Sequence, residues 1–115
     1  MNNIFELNLQ EKTQLAQHPN TSAETLTVLA TDKNWYIRLC VAQHPNTSQE
    51  TLAILATNKS SFVRRWVALN PNTSQESLAV LATDKDSDVR CAVARNPNAT
   101  ELIRRLVLMT NEQHS

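Results

Sequence analysis

The chain contains no glycine, and only two of its 115 residues are cysteine. Without glycine there is no glycine-rich phosphate loop and no Gly-x-Ser-x-Gly nucleophile elbow. Ordinary globular chains carry about 7% glycine, so the turns here must be built from other residues. Cys40 and Cys91 lie 51 residues apart. That spacing offers neither a disulfide framework nor clustered zinc ligands, and it fits a reducing compartment, so the chain is read as cytoplasmic. Net charge is missing as well: 11 basic and 11 acidic side chains sum to zero, which removes whole-chain attraction to nucleic acid or to an anionic membrane. The longest apolar runs, such as Leu78 to Ala82, fall far short of the ~18 residues that span a bilayer. The start, Met1 to Glu6, has no basic stretch followed by an apolar run, so neither export nor membrane insertion is indicated.

What the chain does have is a period. Pro19, Pro45, Pro71 and Pro97 follow one another at 26-residue intervals. Three full copies occupy 18–43, 44–69 and 70–95, with 13 of the 26 columns identical in all three. Residues 12–17 match the end of a copy and 96–110 the start of one. The chain therefore reads as one domain, 1–115, with an N-terminal half-unit cap (1–17), three repeats, and a C-terminal half-unit cap and tail (96–115).

Within a copy, Thr47 and Glu50 have the spacing of a capping box, as do Thr21 with Glu24, Thr73 with Glu76 and Asn98 with Glu101. Leu26, Leu29 and Ala30 then recur as Leu52, Leu55 and Ala56, predicting a first helix of about ten residues with one buried stripe. After a turn, Ile37, Cys40 and Val41 recur as Val63, Trp66, Val67 and as Val89, Ala92, Val93. They predict a second helix of about eight or nine residues, short enough to be 3₁₀ in part. His or Asn followed by Pro ends it. Trp66 falls on the apolar stripe between the smaller Cys40 and Ala92 and is expected to fill core space beside them. Neither helix hides its stripe alone, so pairs must stack. The fold class is all-α: a short right-handed α-solenoid of two-helix repeats, about 35–40 Å long at usual helix spacings.

The string Val-Arg-x-x-Val-Ala-x-Asn-Pro-Asn-Thr-x-x-Glu-x-Leu-x-x-Leu-Ala-x-Asp, Val63 to Asp84 here, resembles the unit of the leucine-rich repeat variant family, within the HEAT- and armadillo-like class of helical solenoids. The resemblance runs from about Lys12 to Thr110 and implies the same solenoid fold. Two departures stand out. The family often has proline after the capping Thr, where this chain has Ser22, Ser48 and Ser74, and two unpaired cysteines cannot supply the iron–sulfur module of one described member. The HEAT pattern of Asp in the inter-helix turn and Arg six residues later is matched by Asp32 with Arg38, Asn58 with Arg64 and Asp84 with Arg90. By that resemblance these six form a structural ladder between adjacent units, with Asn58 leaving Arg64 to rely on Asp32, Asp84 or carbonyls.

Columns fixed in every copy are most economically scaffold, and those that vary are free for recognition. One i, i+4 row of the second helix varies strongly: Trp35, Leu39, Gln43; Ser61, Arg65, Leu69; Ser87, Cys91, Arg95. Stacking would set these rows side by side, apolar and aromatic at one end and basic toward the other, with Tyr36 and Phe62 adjoining. Such residue types dominate protein contacts, so Trp35, Tyr36, Leu39, Phe62, Arg65, Leu69 and Arg95 are the candidate partner-binding residues and an unidentified protein or peptide is the expected partner. The competing reading has the aromatics merely covering the inter-unit seam. The alternative function, DNA or RNA binding, draws on solenoids that cradle duplex DNA and on Arg64, Arg65, Arg90, Arg95, Arg104 and Arg105. Copy charges of 0, +2 and −1 give that alternative no continuous basic stripe.

No catalytic residue, cofactor or metal site is expected, and the protein is read as non-enzymatic. His18 and His44 share their column with Asn70 and Asn96, which points to a backbone role, and His114 is placed in a frayed tail. Cys40 and His44 are four apart but lack the further ligands a zinc site needs. Asn20, Asn46, Asn72, Asn98 and Asn58 sit in glycosylation-like triplets that capping chemistry explains better. The short C-terminal half-unit leaves Leu106, Leu108 and Met109 as a surface through which a homodimer is plausible.

Overall fold

The computed structural model describes residues 3–114, so the outermost residues of both expected caps lie outside it. Among the described residues there is no strand. A 3₁₀ turn, Ile4–Glu6, precedes eight α-helices: α1 (Leu9–Gln17), α2 (Ala23–Leu29), α3 (Trp35–Gln43), α4 (Gln49–Leu55), α5 (Ser61–Leu69), α6 (Gln75–Ala82), α7 (Ser87–Arg95) and α8 (Glu101–His114). Each copy contributes one pair, α2–α3, α4–α5 and α6–α7, between the half-units α1 and α8. The result is an all-helical solenoid.

The relative lengths of the two helices are the reverse of the expectation. The first helices have seven or eight residues. The second helices have nine and are α throughout, with no 3₁₀ part. The first helices start late because the cap is Ser, not Thr. Ser22, Ser48 and Ser74 accept from the amides of Thr25, Thr51 and Ser77, while Thr21, Thr47 and Thr73 turn back and donate to the carbonyls of Leu15, Val41 and Val67 at 2.5–2.6 Å. Thr and Ser are adjacent and both able to cap. The threonine instead adds a bond to a carbonyl in the last turn of the preceding helix, where Val41 and Val67 already accept from the His44 and Asn70 amides. In the last unit Thr100, not Asn98, accepts from the Ile103 amide. Among the described residues a reciprocal capping box is formed by Asn8 with Glu11, at the start of α1.

Two leucines from each first helix and two β-branched residues from each second helix are fully buried, from Leu26 and Leu29 through Val89 and Val93. Each such side chain contributes about 1.5–3 kcal/mol. Second helices pack directly on second helices, α1 on α3 on α5 on α7, whereas α2 and α4 chiefly meet their own partners and α6 meets both α7 and α8. The stack is thus tighter on the second-helix side. Its long extent is 51 Å, longer than expected because five layers stack, the half-units α1 and α8 included. No described residue has positive φ, which is how the chain does without glycine. His114 ends α8 as an exposed helical residue instead of lying in a tail.

Candidate functional site

The 26-residue period and the i, i+4 spacing together bring the variable row onto the second-helix side. Trp35 is 51% exposed, Phe62 61% and Tyr36 39%. The Trp35 ring meets Tyr36 edge-on at a centroid distance of 5.9 Å and Phe62 at 6.5 Å with a 38° tilt, so an aromatic cluster spans the α3–α5 junction. Gln17 on α1 donates to the Tyr36 hydroxyl at 3.3 Å and positions its ring from the other side. Leu39 and Leu69 lean partly onto the core. Further along, Arg65, Leu69, Asp88, Cys91, Ala92 and Arg95 line a shallow depression of about 100 Å³. Gln43, Cys91 and Arg95 are exposed, and Arg65 is half-buried.

Trp66 is not core packing. It is 37% exposed, whereas Cys40 and Ala92 in the same column are each 3% exposed. A column sized for a thiol or a methyl cannot enclose an indole, so the ring adds a fourth aromatic to the second-helix side. The mismatch in volume between Trp66 and its two counterparts was the available signal.

The six ladder residues are spent within the fold. Arg64 makes a bidentate pair with Asp84 of the next unit, Nε to Oδ2 at 2.8 Å and Nη2 to Oδ1 at 3.1 Å. Its Nη1 reaches the Asn58 and Lys59 carbonyls. Arg90 repeats the pattern with the Asp84 carbonyl and with Asn111 Oδ1 on α8 at 2.7 Å. At the N-terminal end Lys12 takes the arginine position and pairs with Asp32 at 2.7 Å. Burial alone raises the Asp32 pKa, but the Lys12 ammonium, the Asn34 amide and the nearby charges of Lys12 and Arg38 outweigh it and hold the carboxyl below its ordinary value. Each cation reaches forward to the next layer, so the residue that Asn58 deprives of a carboxylate is Arg38 and not Arg64. Arg38 donates to the Asp32 and Lys33 carbonyls, and its Nε is buried without a partner.

Of the six arginines in the nucleic-acid reading, Arg64, Arg90 and Arg104 are thus bound to internal acceptors and Arg105 pairs with Glu101. Cys40 is buried, which pushes its thiol up against the opposing hydrogen bonds of Gln17 and Tyr36. Both nitrogens of His44 face backbone groups, the His18 carbonyl and the Asn46 amide. No group of three or more His, Cys, Asp or Glu among the described residues is placed to hold a metal.

Two of the fixed columns face solvent. Glu24, Glu50 and Glu76 and likewise Lys33, Lys59 and Lys85 recur in every copy and are exposed.

Residues 62–86 match the family model of the leucine rich repeat variant. The match spans α5, its stop, α6 and the following turn, and the 26-residue period carries the same columns into the neighbouring copies. Leucine rich repeat variant units are a HEAT-like helical repeat of a non-enzymatic kind. No curated protein and no solved structure matches the chain significantly.

Proposed function

We propose that the chain is a non-enzymatic, cytoplasmic recognition module that binds a protein or peptide across its second-helix side. One observation carries the reading: four of the five aromatic residues, Trp35, Tyr36, Phe62 and Trp66, lie on that side, each more than a third exposed. Aromatic residues and arginine supply most hot spots in protein interfaces. Trp35, Phe62 and Leu39 would provide the apolar anchor, with Arg65 and Arg95 orienting a partner carboxylate at the far end of the row. The leucine rich repeat variant match supports an interaction role, and the free cysteines Cys40 and Cys91 support a reducing location. No helix among the described residues is long and apolar enough to cross a membrane. Nothing favours nucleic acid, since the arginines outside internal bonds, Arg65 and Arg95, border the same depression as Asp88.

The test is capture of a partner on the immobilised chain, followed by titration of Trp35→Ala and Arg65→Ala. Each should weaken binding by about 2 kcal/mol, roughly thirtyfold. A partner that binds both variants as tightly as the parent rules the second-helix side out.

A further inference from the structure

On the opposite side of the rod, the first helices carry an outward apolar column, of which only the last member, Leu106, leans on the core. Val28, Ile54, Val80 and Leu106 follow at 26-residue steps. Ile54 and Val80 are 68% and 59% exposed, and Val28 and Leu106 are half-buried. At the last helix the column opens into a groove of about 450 Å³ lined by Ala79, Leu102, Ile103, Arg105, Leu106 and Met109. Leu102 is 76% exposed and Met109 59%. Leu102, Leu106 and Met109 are spaced four and then three residues, the seam of a helix that expects another helix.

We propose that this face, centred on α8, is the contact surface of a twofold homodimer. It is not a landing for a further repeat. Arg104 already donates to the carbonyls of Ala94 and Asn96 at 3.2 and 3.0 Å, the groups that the stop asparagine of a next unit would take. Asn111 already accepts from Arg90, so the cation ladder is complete within the chain. In-register head-to-tail growth is therefore closed at those carbonyls, which leaves the flank for an isologous contact.

Two features fit the second copy as occupant. The rim carries both signs, Glu101 and Arg105, exposed and 3.2 Å apart, so a twofold axis can set each charge near its opposite, while a partner of one strong sign gains nothing. The apolar knobs also repeat at the layer spacing, and a second array has the same spacing. A 14-residue helix is about 21 Å long and 10–12 Å across. Two such faces with Val80 and Ala79 would bury on the order of 800–1,000 Å² in total, the low end for specific contacts, so the dimer is a weak one, in the micromolar range. Leu108 is exposed but lies outside the groove and is not part of the contact.

Sedimentation equilibrium of the full chain over a wide concentration range tests this. The expected mass rises with loading from 12.9 kDa toward twice that value and stops there. Leu102→Glu and Met109→Glu, both at exposed positions, should each weaken association about tenfold or more while keeping parental helicity by circular dichroism. If one of them unfolds, the other decides. Trp35→Ala should leave the dimer unchanged, which separates this surface from the second-helix side. A parent chain that stays at 12.9 kDa at the highest concentration overturns the proposal. So does mass growth beyond the dimer, parental association in both glutamate variants, or loss of the dimer in Trp35→Ala.

Discussion

Asn70 shows how single side chains take over the turn-making that glycine does elsewhere. Its Nδ2 donates to the carbonyls of Ala42 and His44 in the preceding layer, at 2.8 and 3.0 Å, and its Oδ1 accepts from the Asn72 amide at 2.9 Å. Asn96 repeats all three bonds one unit later. His44 performs a reduced version, with Nε2 on the His18 carbonyl and Nδ1 accepting from the Asn46 amide, which requires the tautomer protonated at Nε2. The column thus tolerates two residue types because both present a donor and an acceptor at the right reach. Asn70 is 3% exposed, so removing its side chain strands the Ala42 carbonyl and takes the acceptor from the Asn72 amide, while the His44 carbonyl keeps the Thr47 amide. Asn70→Ala should cost about 2–4 kcal/mol in a denaturant melt, and Asn70→His less than half of that. Equal losses in the two variants would mean that the layer-to-layer bonds carry no stability.

Between elements, the second helices are tied by cations reaching forward, and one tie is defective. Lys12 has Asp32, Arg64 has Asp84 and Arg90 has Asn111, but the position facing Arg38 is occupied by Asn58, and the Arg38 Nε is left buried and unpaired. Asn58→Asp should restore a charge-assisted bond. The present Asn58 Oδ1 already accepts from the Ser60 amide, as Asp84 Oδ1 accepts from Asp86, so the new carboxylate keeps that turn. The expected gain is about 1–2 kcal/mol, several degrees in the melting midpoint. A variant that melts at or below the parent temperature refutes the forward register of the ladder. That register was not legible in the sequence, because an Asp and an Arg six residues apart are compatible with pairing inside a unit or to either side. The helices themselves were legible, since apolar residues recurring at i, i+3 and i+4 in three copies have only one way to be buried. The caps were displaced by one residue because Thr21 and Ser22 compete for the same duty and only the packed structure shows which carbonyl the threonine reaches. Within the variable row, periodicity anticipated the exposure of Trp35, Gln43, Cys91 and Arg95 but not the half-burial of Leu39, Arg65 and Leu69, and the exposure of Trp66 depended on the volume of a seam that periodicity does not measure.

The whole rod is closed differently at its two ends. At the C-terminal end the backbone and side-chain ladders terminate on Arg104 and Asn111, a permanent cation and a neutral amide. At the N-terminal end α1 is joined to the following turn by Lys12 and the Asp32 carboxylate, which can lose its charge. The folded Asp32 pKa lies below the ordinary 3.8. Its pairing therefore stabilises the fold fully above that value, and the contribution is lost as pH falls through the lower folded one. Stability in a stacked array is roughly nearest-neighbour, and α1 has a neighbour on one side only, so acid should open this end first. Amide hydrogen exchange, corrected for intrinsic rates, should show protection in Leu9–Gln17 falling about tenfold or more as pH is lowered from neutral through the folded Asp32 pKa, the loss of one charge-assisted bond. Protection in the second half of α8 should fall less. Asp32→Asn should bring the same opening of α1 at pH 7, where the parent is closed. If α1 and α8 lose protection together in acid, or if Asp32→Asn exchanges like the parent at neutral pH, the ends are not independent and the array unfolds as one cooperative block.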